Sequence, residues 1–181
     1  MIPKAEMLPD GHRWLRVADA RWADPLDPSF AAHQGGRWNP PRSHPTLYLN
    51  EDMQTARSQI VALLHGSPID PDDLDAGYDL IEATLPRGQE VANAIDDDGL
   101  AGLGLPATYP RYSNGRPIRH DVCQPIGKII YDEGLRGVHA RSAATEDGSG
   151  RELAWFPARE SSQARMVRRL SFREWWHIPV E

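Results

Sequence analysis

Cysteine is almost absent from this sequence, with Cys123 the single example. An internal disulfide is therefore excluded, and so is a zinc site built on cysteine pairs. With no partner thiol, Cys123 is expected to behave as a small buried hydrophobe. Also missing is any apolar run long enough to cross a bilayer, and the opening residues Met1-Ile2-Pro3-Lys4-Ala5-Glu6 lack the apolar core of a signal peptide. A cytoplasmic location with no membrane partner is the expectation. Net positive charge is missing too: at −6, and without a recognised nucleic-acid motif, the chain is a poor binder of phosphate backbones, so direct nucleic-acid binding is disfavoured. His33, His44, His120 and His139 show no metal-ligand spacing, and no metal is expected. Asp96-Asp97-Asp98-Gly99 is superficially similar to a calcium loop but lacks the alternate-position ligands and the terminal glutamate.

What is present describes an ordinary globular unit. The 181 residues, 40% hydrophobic and 25% charged, fit one domain over 1–181 with a real core and no repeat, low-complexity tract or linker. Fifteen glycines and 16 prolines point to short elements joined by many turns. Charge is uneven, with an acidic run from Asp70 through Asp75 to Asp98 and a basic end at Arg165, Arg168, Arg169 and Arg173. Such runs are solvated faces or a seat for a charged partner.

Strands are predicted at Trp14–Val17, Thr46–Leu49, Tyr78–Leu85, Gly137–Ala140, Leu153–Phe156 and Met166–Leu170. Asp52 is placed to cap a helix with Met53, Ala56, Ile60, Leu63 and Leu64 on its apolar face. A second helix is expected from Pro117, with Ile118, Val122, Ile126, Ile129 and Ile130 recurring along it, a kink at Pro125 and a stop at Gly134. This order of elements fits an α+β fold better than a doubly wound α/β one.

The most informative segment is Gly35-Gly36-Arg37-Trp38-Asn39-Pro40-Pro41, which its glycines and prolines exclude from regular helix or central strand. It sets one permanent cation in a rigid loop. Arginine's planar fork matches phosphate oxygens, and glycine lets backbone N–H groups approach an anion. The same residues also suit a tight turn with Trp38 buried and Arg37 on a surface carboxylate. They form no GxGxxG fingerprint, so the usual dinucleotide fold is disfavoured.

This loop, followed by Thr46-Leu47-Tyr48-Leu49 and a helix containing Ala56, resembles the signature block of the RES-domain family, NAD+-consuming toxins of toxin–antitoxin modules. Leu15-Arg16-Val17 resembles that family's first strand, Gly137 through Ala143 its strand-then-serine block, and Leu153–Phe156 the strand after it. The resemblance covers about Arg13 to Phe156. It implies a mixed α+β domain like the ADP-ribosyltransferases, with two small sheets forming a cleft around NAD+. Arg16 and Arg37 would hold the diphosphate or approach the nicotinamide ribose, Tyr48 would stack on or bond to the nicotinamide end, and Ser142 would orient the substrate.

Where the family has its glutamate this chain has Gln59, neutral and unable to take a proton. Glu51, Asp52 and Glu152 are the alternative carboxylates. The resemblance implies cleavage of the nicotinamide–ribose bond with NAD+ as substrate, and transfer of ADP-ribose to water, phosphate or a protein; the neutral Gln59 favours a protein acceptor. It also implies a helix-turn-helix antitoxin whose C-terminal segment blocks the cleft. A catalytically weak binding module is the other reading.

Overall fold

The computed structural model describes residues 1–74, 77–145, 147–158 and 163–179; Asp75 of the acidic run lies outside them. Among these residues eight strands form one sheet: β1 (Ala5–Met7), β2 (Trp14–Asp19), β3 (Leu47–Asn50), β4 (Tyr78–Thr84), β5 (Glu90–Ala94), β6 (Gly137–Arg141), β7 (Arg151–Trp155) and β8 (Arg165–Leu170). Five α-helices accompany them among the described residues: α1 (Ser29–Gln34), α2 (Met53–Leu63), α3 (Asp97–Gly102), α4 (His120–Asp132) and α5 (Phe172–Trp176). The α+β expectation holds. No helix among them is long and apolar enough to cross a membrane.

Strand order is β1-β5-β6-β7-β3-β2-β4-β8, with every pairing antiparallel except β5 with β6. The resemblance implied two small sheets; here there is one, but it nearly divides. β2 meets β3 only at Leu15 opposite Asn50, whereas β2 runs six residues in register with β4, and β3 runs four in register with β7. The halves part beyond that bridge, and the opening becomes the cleft.

Three apolar clusters hold this shape. Helices α3 and α4 cover β5, β6 and β7 through Leu100, Cys123, Ile130, Val138 and Ala154. Helices α2 and α5 cover β2, β4 and β8 through Ala56, Ile60, Leu80 and Trp175. Trp14, Leu49, Ile81 and Trp155 knit the other face across both halves. Cys123 is a free, fully buried thiol, as expected of a small hydrophobe.

Several local expectations need correction. Helix α4 begins at His120 rather than Pro117, because Pro117 pairs with Arg111 and the Ile118 N–H bonds to Pro110 O. The helix runs on through Pro125, with Cys123, Gly127 and Ile130 turned inward while Val122 and Ile129 stay exposed. On α2, Asp52 accepts from the Thr55 N–H at 2.7 Å as predicted, but Leu63 is exposed. The Asp96–Gly99 segment starts a helix: Asp96 caps α3 by accepting from Gly99 N–H at 2.8 Å. Strands β1 and β5 and the short helices α1, α3 and α5 were not foreseen. They span three to six residues each, too short for periodicity to register.

Candidate active-site cleft

The loop after α1 owes its shape to backbone contacts that only glycine allows. Gly35 ends α1 at φ 77°, and a Cβ on Gly36 would stand 2.4 Å from Tyr48 Oη. The loop therefore lies flat against the tyrosine ring. Tyr48 Oη donates to Asn39 Oδ1 at 2.7 Å and accepts the Trp38 N–H at 2.8 Å. Asn39 Nδ2 donates to Ala31 O at 2.6 Å, tying the loop back to α1. From the other side α4 packs so closely that a Cβ on Gly127 would meet Trp38 O, and Gln124 Nε2 donates to Gly36 O at 3.0 Å. Trp38 is buried completely. Arg37, set between these anchors, donates from Nη1 to Ile118 O at 2.8 Å.

Arg16, Arg37, Tyr48, Gln59 and Ser142 all line one cleft of 330 Å³ at the parting of β2 and β3, joined there by Glu152. Each half of the sheet contributes: Arg16 comes from β2, Tyr48 from β3, and Ser142 follows β6. Gln59 reaches in from α2, where its Oε1 accepts from Asn50 Nδ2 at 2.8 Å. Ser142 Oγ donates to Glu152 Oε2 at 3.1 Å and accepts the Ala144 N–H at 3.2 Å.

The electrostatics single out Arg16. It is 7% exposed, and its Nε is buried without a hydrogen-bond partner. Its guanidinium lies 5.6 Å from the Trp22 ring centroid. Burial lowers its pKa to about 10, opposed only by the more distant charges of Asp27 and Asp24. Native folds rarely leave a buried guanidinium unsatisfied, because its desolvation is not repaid. For Arg37, burial pulls the pKa down, but the negative poles of Tyr109, Glu152 and Cys123 outweigh it and the net shift is upward. Burial pushes Tyr48 well up, so its hydroxyl stays neutral. Burial also raises Glu152, against the opposing influence of Arg37 and Ser142.

The three alternative carboxylates separate cleanly. Asp52 is occupied as the α2 cap. Glu51 Oε2 stands 3.4 Å from His139 Nε2, outside the cleft; Glu152 alone of the three lines it. Sequence reasoning did not find Trp22 and Phe30, an aromatic pair with ring centroids 5.3 Å apart at the cleft mouth, Phe30 being 55% exposed. Trp22 lies just after β2 and Phe30 in the short α1, and no local pattern marks either. His120 also lines the cleft, its pKa lowered by burial and by Arg37. Among the described residues no group of three His, Cys, Asp or Glu side chains is placed to hold a metal ion.

Two arginines from different elements thus meet in one cleft where β2 and β3 part. Comparison then fixes the family: the RES domain profile matches residues 13–177, and the chain belongs to the RES domain family. The fold is shared with a chain of the M. tuberculosis MbcT-MbcA toxin-antitoxin complex, at TM-score 0.69 and 21% identity over 94% of this chain and 85% of that one. No curated protein matches the sequence.

Proposed function

We propose that this chain is the toxin of a toxin–antitoxin pair acting in the cytoplasm, that it binds NAD+ in the β2/β3 cleft, and that it breaks the nicotinamide–ribose bond and passes ADP-ribose to a cellular protein. The observation that carries this reading is Arg16: a buried arginine with an unpartnered Nε, in a cleft that also holds Arg37. A second cation beside it favours a multiply charged anion, and a diphosphate offers oxygens to both guanidiniums. The aromatic mouth at Trp22 and Phe30 offers a face to a base. Nicotinamide leaves NAD+ as a neutral molecule from a cationic ground state, so no general acid is required. The protein has only to hold the diphosphate, orient the ribose and stabilise the ribosyl cation.

Tyr48 supports the site mainly by pinning the arginine loop, since its hydroxyl is engaged with Trp38 and Asn39. Gln59, held by Asn50, offers its amide to a ribose hydroxyl but takes no proton. A pre-bound protein nucleophile needs less activation than water, because proximity replaces part of it. The similar M. tuberculosis fold comes from a complex of toxin with antitoxin, and we assign this chain a neighbouring antitoxin of helix-turn-helix type whose C-terminal segment covers the cleft. A second reading, NAD+ hydrolysis, is favoured by the carboxylate of Glu152 in the same cleft.

The test is one reaction of purified chain with NAD+ and cell extract, measuring nicotinamide, free ADP-ribose and protein-bound ADP-ribose. Wild type is expected to label protein, and Gln59→Glu to shift product toward free ADP-ribose, since general-base help is worth about 10²–10⁴-fold. Fast hydrolysis by both without labelled protein supports the second reading. No nicotinamide release at all refutes both.

A further inference from the structure

The cleft holds a charge that transfer of ADP-ribose to a protein, as read above, does not use. Among the described residues lining it, Glu152 is the one carboxylate. Its position is set by the sheet: on β7 it lies in register with Asn50 of β3 on one side and Ala140 of β6 on the other. Asn50 is the residue that holds Gln59, so Glu152 and Gln59 flank a common strand position. The partner of Glu152 is a neutral hydroxyl, Ser142 Oγ at 3.1 Å, and Ser142 is itself 1% exposed and fixed by the Ala144 N–H. Among the described residues no ion pair within 4 Å ties Glu152 down, as Arg13 and Arg168 tie Glu82; the charge of Arg37 acts on it across the cleft. Glu152 is oriented, partly desolvated, and lines the same cleft as Arg16 and Arg37.

We propose that Glu152, oriented by Ser142, supplies the negative charge that stabilises the ribosyl cation while nicotinamide departs. The inference rests on the NAD+ reading. In the step, the bond between ribose C1′ and the pyridinium nitrogen breaks, and both electrons go to nicotinamide, which leaves neutral. The positive charge passes to C1′ and the ring oxygen, opposite Glu152. The acceptor's lone pair then forms the new bond at C1′, and its proton is released to solvent. Burial suits this role, because a charge in a low-dielectric cleft acts on a developing cation far more strongly than one in water. Ser142 is thereby a positioning residue, and the neutral Gln59 is spared the electrostatic task.

The experiment uses the full chain as wild type, Glu152→Gln and Glu152→Asp, with three readouts: NAD+ affinity, nicotinamide release, and affinity for a cationic iminoribitol relative to a neutral ribose analogue. Glu152→Gln is expected to lose about 10²–10³-fold in nicotinamide release, with NAD+ affinity changed by no more than about threefold, because ground-state binding does not use the charge. It should also lose the wild-type preference for the cationic analogue. Glu152→Asp, which keeps the charge, should retain both activity and preference better than the glutamine variant. Nicotinamide release by Glu152→Gln at the wild-type rate overturns the proposal. So does an equal loss in both variants accompanied by lost NAD+ binding, which would assign Glu152 a structural role. If wild type itself neither binds nor cleaves NAD+, the underlying reading fails, and that outcome is distinct from either of these.

Discussion

Replacing Arg16 should make the protein more stable while weakening the diphosphate binding proposed above. Burial lowers the Arg16 pKa to about 10. That is a fall of roughly two and a half decades in proton affinity at about 1.4 kcal/mol per decade, so holding the charge inside the fold costs about 3 kcal/mol. The sign follows from the depressed pKa: the cost is present at neutral pH and lifts only as pH rises through about 10. The contact with the Trp22 ring returns about 1 kcal/mol. Arg16→Met keeps the apolar stem in its place on β2 and removes the charge, for a net gain of about 2 kcal/mol. In a chain of this size that raises Tm by about 4–8 °C. The same variant should lose about 10²-fold in affinity for ADP-ribose, since charge-assisted hydrogen bonds are worth about 1.5–3 kcal/mol each. Thermal melts with and without ADP-ribose measure both quantities. A Tm below wild type would mean that Arg16 carries structure, and unchanged ADP-ribose affinity would remove it from the anion site.

Tyr48→Phe strips the oxygen that joins Trp38 to Asn39, leaving two loop groups unpaired; a loss of about 1–3 kcal/mol in stability is expected, with NAD+ turnover falling in step as the Arg37 loop loosens, and full turnover would show the pin to be dispensable. On the opposite face, His139 sits between Glu6 at 2.7 Å and Glu51 at 3.4 Å. Burial lowers its pKa, yet the carboxylates of Glu51 and Glu6 outweigh that and raise it, while His139 in turn lowers both carboxylates. The stabilisation is therefore complete between about pH 4.5 and 6.5. It is lost as pH rises through the raised histidine pKa, or falls through the lowered carboxylate ones. His139→Gln should flatten the Tm profile across that upper limb, and an unchanged profile would show that the triad contributes nothing.

Much of the candidate site was legible before the fold was known, because its residues sit in a compact motif whose composition is itself physical. Two glycines, an arginine and two prolines within seven positions leave little freedom, and the structure shows the glycines used for close approach to Tyr48. Alternating apolar residues likewise announced β2, β3, β4, β6, β7 and β8, and Asp52 announced the start of α2. The short elements β1, β5, α1, α3 and α5 were not legible, since three to six residues carry too little periodic signal and are fixed by neighbours distant in sequence.

The sequence by itself determined which residue types are available: one free thiol, no paired-cysteine site, and an arginine loop followed by a strand and a capped helix. Only the tertiary structure decided what those residues face. That β2 and β3 touch at a single bridge is a property of long-range pairing: β2 follows β4 and β3 follows β7, and the two pairs diverge beyond Leu15 and Asn50. The resulting gap strands Arg16 in a buried place without a partner. Strand alternation made the same kind of choice between carboxylates. Glu51 falls on the side of His139 and Glu152 on the side of the cleft, because successive side chains point to opposite faces and the register set by β6 and β7 fixes which face is which.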